Sequence, residues 1–132
     1  MQRITPYLLY EDVAGALDWL ARAFGFREYG EKMSGPDGKV RHAAMELDGS
    51  LIMMGYPGPE YQNPKRLGHV TQNLYVRVDD VDKHYEQARK AGATILEEPG
   101  DTFYGDRRYG AEDPEGHQWY FAQQIRDVAS KE

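Results

Sequence analysis

The sequence predicts an α+β protein built from two tandem β-α-β-β-β modules. Two sets of marks carry that reading. The EDV at 11–13 returns as DDV at 79–81, an offset of 68. Gly25 returns as Gly92 and the DG at 48–49 as the EG at 115–116, both at an offset of 67. Between these marks, strand-like and helical hydrophobic periods follow in the same order in each half.

Residues 3–10, RITPYLLY, read as extended chain. Pro6 has no N–H to give a ladder, which confines this segment to an edge or a bulge. Asp12 is a helix N-cap. Val13, Leu17, Leu20 and Phe24 fall on one helical face, and Gly25 stops the helix. FREYGEKMS (26–34) reads as a strand, GPDG (35–38) as turn chemistry rather than a phosphate loop, and KVRHAAMEL (39–47) as a strand. The DG at 48–49 then makes a hairpin to SLIMMGY (50–56). Residues 1–56 form the first module, and the Pro-, Gly- and Asn-rich stretch 57–69 is the linker. In the second module (70–123), VTQNLYVRV alternates as a strand over 70–78. DDVDKHYEQARKAGA is a helix with Val81, Tyr85 and Ala88 inward and Gly92 at its end. TILEE (94–98) is a strand, PGDTFYG (99–105) a loop and DRRYGAE (106–112) a strand. DPEG (113–116) is a type I turn, HQWYFAQQ (117–124) closes the sheet, and 124–132 is a polar tail.

Composition excludes several classes. The net charge is −6 and no basic block stands out, which argues against nucleic-acid binding. No apolar run reaches membrane-spanning length. The first residues show no small-residue cleavage site, so they do not read as a signal peptide. The chain has no cysteine, hence no disulfide, thiolate metal site or thiol nucleophile. A cytoplasmic location is the expectation. Ten tyrosines are many for 132 residues and suggest a surface where rings have polar work. No Walker motif, dinucleotide-binding turn or nucleophile elbow occurs.

The words AFGF, HAAMELDGSLIMMG, VDDVDKHYEQARKAGA and YGDRRYGAEDPEGHQWYF, on the repeated frame, resemble the vicinal oxygen chelate superfamily, in particular its glyoxalase/bleomycin-resistance branch. The resemblance covers about residues 3–123. It implies a curved mixed sheet around a concave pocket, completed by a partner in a homodimer. The enzymes of that superfamily hold a divalent metal through one His, Gln or Glu from each of four strands. Counted from the matched turns, those positions are Thr5, Met53, Asn73 and Tyr120. A hydroxyl, a thioether, a carboxamide and a phenol are poor ligands for such ions. A one-residue slip gives Pro6, Ile52, Gln72 and Trp119, and turns the side chains to the core. The expectation is therefore no metal and no other cofactor.

Strand parity says which residues line the concave side. Thr5, Tyr7 and Leu9 oppose Pro6, Leu8 and Tyr10; Leu51 and Met53 oppose Ile52 and Met54. Asn73, Tyr75 and Arg77 oppose Leu74, Val76 and Val78; Gln118 and Tyr120 oppose Trp119 and Phe121. Tyr7, Met53, Asn73, Tyr75 and Tyr120 are accordingly candidate ligand contacts. Trp19 and Trp119 read as packing residues. Arg107 and Arg108 offer a cation to an anionic ligand, or pair with acids across strands. His42 is the one candidate acid–base group, with its face left open. His84 reads as a solvated helix flank, His69 sits at the loop mouth, and His117 shares the parity of Trp119. The functional expectation is a metal-free binder of a drug or metabolite, like the bleomycin-resistance proteins, with an aromatic-lined pocket. The alternatives are a lyase, isomerase or dioxygenase acting on a small oxygenated substrate, and a sensor whose polar tail contacts a partner.

Overall fold

In the computed structural model, which describes residues 2–127, the first helix, α1, spans Val13–Phe24. The Asp12 carboxylate accepts the Gly15 N–H at 3.0 Å. Val13, Leu17, Leu20 and Phe24 are all buried, as their spacing requires. A short helix, α2 (Pro64–Leu67), stands in the linker, where sequence reasoning expected only loop. Its N-P-K-R-L-G is the pattern of an N-cap, a first-turn proline and a terminal glycine, and Asn63 caps it by accepting the Arg66 N–H. The third helix, α3 (Val81–Lys90), repeats the first. Asp80 accepts the Lys83 N–H, 68 residues after the equivalent bond at Asp12.

Each module has four strands. The first holds β1 (Tyr7–Leu9), β2 (Arg27–Ser34), β3 (Val40–Leu47) and β4 (Ser50–Gly55), in the order β1-β4-β3-β2. The second holds β5 (Leu74–Arg77), β6 (Thr94–Asp101), β7 (Asp106–Glu112) and β8 (Gln118–Gln124), in the order β5-β8-β7-β6. In both, the first strand runs parallel to the last and the other pairs are antiparallel. The repeat read from turn punctuation is thus a repeat of topology. Two turns keep their expected chemistry. Asp48 and Gly49 both have positive φ (49° and 88°), the pair a type I′ hairpin needs. In DPEG, the Gly116 N–H bonds Asp113 O at 2.9 Å.

Three boundaries differ from expectation. β1 and β5 are shorter than 3–10 and 70–78, because each pairs on one side only. β6 does not stop at Glu98. It runs to Asp101 through register shifts at Ile95/Glu97 and Glu97/Gly100, and Pro99 is tolerated because the strand is bulged and lies at an edge. Of the polar tail, residues 128–132 lie outside the described residues.

The helix-side faces of both sheets meet in one core. It takes Leu8, Tyr10, Met45 and Met54 from the first module and Tyr109, Trp119 and Phe121 from the second. Phe24, at the end of α1, crosses between them, with ring centroids 5.4 Å from Trp119 and 4.6 Å from Phe121. The two modules of one chain therefore pack on each other.

His84 is not a solvated flank residue. Its ring lies 4.2 Å from that of Phe121. Its Nε2 is 2.9 Å from Phe24 O and its Nδ1 is 2.6 Å from Tyr109 Oη. A carbonyl only accepts, so Nε2 carries the proton and Nδ1 receives the Tyr109 hydroxyl. Burial lowers the His84 pKa. The unfolded chain then takes up a proton, near its ordinary value of about 6.5, that the folded chain refuses. The stability His84 contributes is present above that pH and is lost as the pH falls from there toward the folded value. Urea midpoints measured at pH 7.5 and 5.5 should drop with acid, and drop less in His84→Gln. Equal acid sensitivity in both proteins would refute this assignment.

Candidate functional site

The sheet faces turned away from the helices are where chemistry is displayed. On the first sheet, register lines up Tyr7, Met53, Ala44 and Tyr29 in one row and Leu9, Gly55, His42 and Met33 in the next. Tyr7 and Leu9 are exposed, whereas Leu8 between them is buried. The Tyr7 ring lies across Gly55, where an added Cβ would stand 2.5 Å from the phenol oxygen. That close approach carries the hydroxyl to His42, and Oη and Nδ1 are hydrogen-bonded at 3.0 Å. The open question of His42 is settled: it faces outward, on the same surface as Tyr7.

The second sheet repeats the plan with different groups. Tyr75, Tyr120, Gly110 and Glu97 form one row. The Tyr120 ring covers Gly110 as Tyr7 covers Gly55. The Arg108 guanidinium sits 5.4 Å over the Tyr120 ring and is forked onto Glu97, with Nε at 2.8 Å and Nη2 at 3.2 Å. A chain of hydrogen bonds runs along this face. Arg108 Nη1 is 3.0 Å from Tyr104 Oη, Tyr104 Oη is 3.1 Å from Tyr75 Oη, and Tyr75 Oη is 2.6 Å from Asp106 Oδ2. Arginine only donates and the Asp106 carboxylate accepts, so every hydrogen points one way, from Arg108 to Asp106. Burial, and then the bond to Asp106, push the Tyr75 phenol up, so it stays a donor.

Parity therefore places Tyr7, Met53, Tyr75, Tyr120 and Arg108 on the outer faces. Asn73 lies just before β5 with an exposed side chain that has no protein partner among the described residues. Arg107 is not with them. It lies on the helix side, 3.1 Å from Asp82 on α3 and 3.0 Å from Asp101. Both arginines are paired with acids in this structure. Sequence reasoning missed Tyr104 and Asp106. The usable signal was that Asp106 shares the parity of Arg108 on one strand, next to a tyrosine in the preceding turn. His69 is exposed. His117 is not in a strand, and its Nε2 lies 2.7 Å from Leu9 O.

Thr5, the first of the four ligand positions that the resemblance implies, is half-buried just before β1, and the other three implied positions hold Met53, Asn73 and Tyr120. Among the described residues no group of three or more His, Cys, Asp or Glu comes together to hold a metal ion. The donor set at those positions does not fit a divalent metal. No helix among the described residues is long and apolar enough to cross a membrane.

The repeated β-α-β-β-β topology, with its helix-side core and open outer faces, defines a structural class. Residues 3–121 match the family described as the Glyoxalase/Bleomycin resistance protein/Dioxygenase superfamily, and the chain belongs to it. It is 35% identical over 130 residues to an uncharacterized protein of Mycobacterium bovis, Mb0911c, across 95% of this chain and 85% of that one. Among solved structures it is similar to TioX from Micromonospora sp. ML1, at 34% identity and a TM-score of 0.77, covering 95% of this chain and all of that one. The fosfomycin resistance protein FosX from Listeria monocytogenes shares the fold, with a TM-score of 0.68 at 14% identity over 93% of each chain.

Proposed function

We propose that this chain is a cytoplasmic small-molecule binding protein that works without a metal and holds a planar drug or metabolite against its aromatic outer faces. One observation carries the reading. The four positions that bear metal ligands in the superfamily's enzymes hold Thr5, Met53, Asn73 and Tyr120, while Tyr7, Tyr75 and Tyr120 present rings on the same faces. Stacking on such rings favours flat ligands, and the phenol and imidazole tips supply hydrogen bonds at their edges. The protein acts as a homodimer. Each chain leaves two open faces bearing exposed Tyr7, Tyr29, Met33 and Tyr75, and a partner covers them.

The test joins metal analysis to ligand-induced stabilisation. The purified protein should carry no stoichiometric Zn, Ni, Mn or Fe. A planar aromatic drug that binds the folded state raises the melting point, and Tyr120→Ala should remove most of that rise. A stoichiometric metal, or turnover of the methylglyoxal–glutathione hemithioacetal with added Ni²⁺ or Zn²⁺, would overturn the proposal. A second reading, a lyase, isomerase or dioxygenase, is favoured by the Tyr7–His42 pair, which can pass a proton to or from a bound substrate. On that reading His42→Gln abolishes turnover and leaves ligand-induced stabilisation in place.

A further inference from the structure

The line where the two sheets meet is itself unpaired. β1 and β5 are edge strands of separate sheets, and no backbone hydrogen bond joins them. Pro6 and Leu74, at the repeat offset of 68, sit at its middle and line the cavities on both sides. One cavity, about 460 Å³, is edged by the charged Asp48, Arg77 and Asp79. The other, about 370 Å³, has no Asp, Glu, Lys or Arg in its lining, in a protein of net charge −6.

What the uncharged cavity does have is amide chemistry. The carboxamides of Gln72, Asn73 and Gln118 line it, and none has a protein partner among the described residues. The β1 backbone adds more. Met53 N–H bonds Pro6 O and Tyr10 N–H bonds Gly55 O, both at 2.9 Å. Those bonds fix the alternation, so the backbone N–H and C=O groups of Tyr7 and Leu9 turn away from β4 and toward the seam. Leu9 O is already taken there by Tyr61 Oη at 2.9 Å and by His117 Nε2 at 2.7 Å. A carbonyl only accepts, so His117 Nε2 is the donor in that contact. Burial, and then Glu115, push the Tyr61 phenol up to about 12, so it remains a donor to this wall. Pro6, Leu8 and Leu74 provide apolar surface between the polar groups.

We propose that this seam is a ligand pocket adjoining the outer faces, with which it shares Tyr7 and Asn73, and that it takes an uncharged planar ring carrying adjacent N–H and C=O groups, the edge of a lactam or an imide. A carboxamide presents the complementary acceptor and donor side by side, and three residues that carry one line this cavity beside backbone groups of the same kind. A charged ligand would find no counter-charge in the lining.

The experiment is a titration of the full chain with uracil, followed through the side-chain NH₂ signals of Gln72, Asn73 and Gln118 by NMR. 1,3-Dimethyluracil, which keeps the ring and loses both N–H groups, is the matched control. Uracil should shift these signals saturably in the millimolar range, and dimethyluracil should bind about tenfold more weakly, one good hydrogen bond's worth. Gln118→Leu should weaken uracil by a similar factor. Asn73→Leu, an exposed change outside any strand, provides the same reading should Gln118→Leu fail to fold. Equal binding of the two probes, no saturable shift, or shifts confined to the rings of Tyr75 and Tyr120 would each overturn the seam pocket. Failure of the outer-face proposal is read separately, as no response of those tyrosine rings to planar drugs.

Discussion

Asp113→Ala should lower the unfolding free energy by about 3–5 kcal/mol, the largest polar effect in the chain. Asp113 is 2% exposed and each of its oxygens takes two hydrogens. Oδ1 accepts the N–H groups of Glu115 and His117 at 3.0 and 3.1 Å, and Oδ2 accepts the Tyr10 hydroxyl at 2.7 Å and the Trp119 indole at 3.1 Å. Truncation leaves the phenol of Tyr10 and the indole N–H of Trp119 buried with no partner, and unties the DPEG turn. The same turn reaches outside the second module at two more points. Glu115 carboxylate oxygens accept the N–H of Glu11 at 2.7 Å and of Asp12 at 2.9 Å, and Glu115 O accepts the N–H of Lys65 in α2. A hairpin turn of the second module thus holds the start of α1 and the linker helix. Tyr10→Phe, which removes one donor and leaves the other three, should cost only about 1 kcal/mol. Urea denaturation measures both, and a loss below about 1 kcal/mol for Asp113→Ala would show that this network does not hold the modules together.

The crowded stretch 105–121 shows what a sequence discloses and what it withholds. Turn chemistry is local, and so DPEG, the N-cap Asp12 and the hairpin pair at 48–49 were legible. Strand parity is local too, and it placed Trp119 and Phe121 inward and Tyr120 outward. Parity names a face but not the neighbours on it. Nothing in the order of residues said that Tyr104 would bridge Arg108 to Tyr75, or that Arg107 would meet Asp82 of α3. His42 was ambiguous because Ala43, Ala44 and Met45 give three apolar residues in a row, with no alternation to read. His84 failed for another reason. An imidazole between charged neighbours on a helix reads as solvated, and local spacing does not show the partners that bury it: Phe121 and Tyr109 of its own sheet and the Phe24 carbonyl of the other module. The metal-ligand positions come from the family resemblance alone, each counted from a matched turn.

Phe24→Ala should be the largest apolar loss, about 3–5 kcal/mol. Phe24 is fully buried and touches both modules: Trp19 on its own helix at a centroid distance of 5.0 Å, and His84, Trp119 and Phe121 across the junction. Its carbonyl also receives the His84 N–H, so a collapse of α1 into the cavity would strain that bond. Phe24→Leu keeps most of the volume and should cost less than about 1.5 kcal/mol. The two tryptophans make the experiment informative, because Trp19 lies in the first module and Trp119 in the second. If one core serves both modules, fluorescence from a Trp19→Phe background and circular dichroism report one shared transition, and Phe24→Ala moves both by the same amount. Two separated transitions in the parent protein would instead mean that each module folds alone. Phe24 would then be a contact between finished units rather than part of a common core.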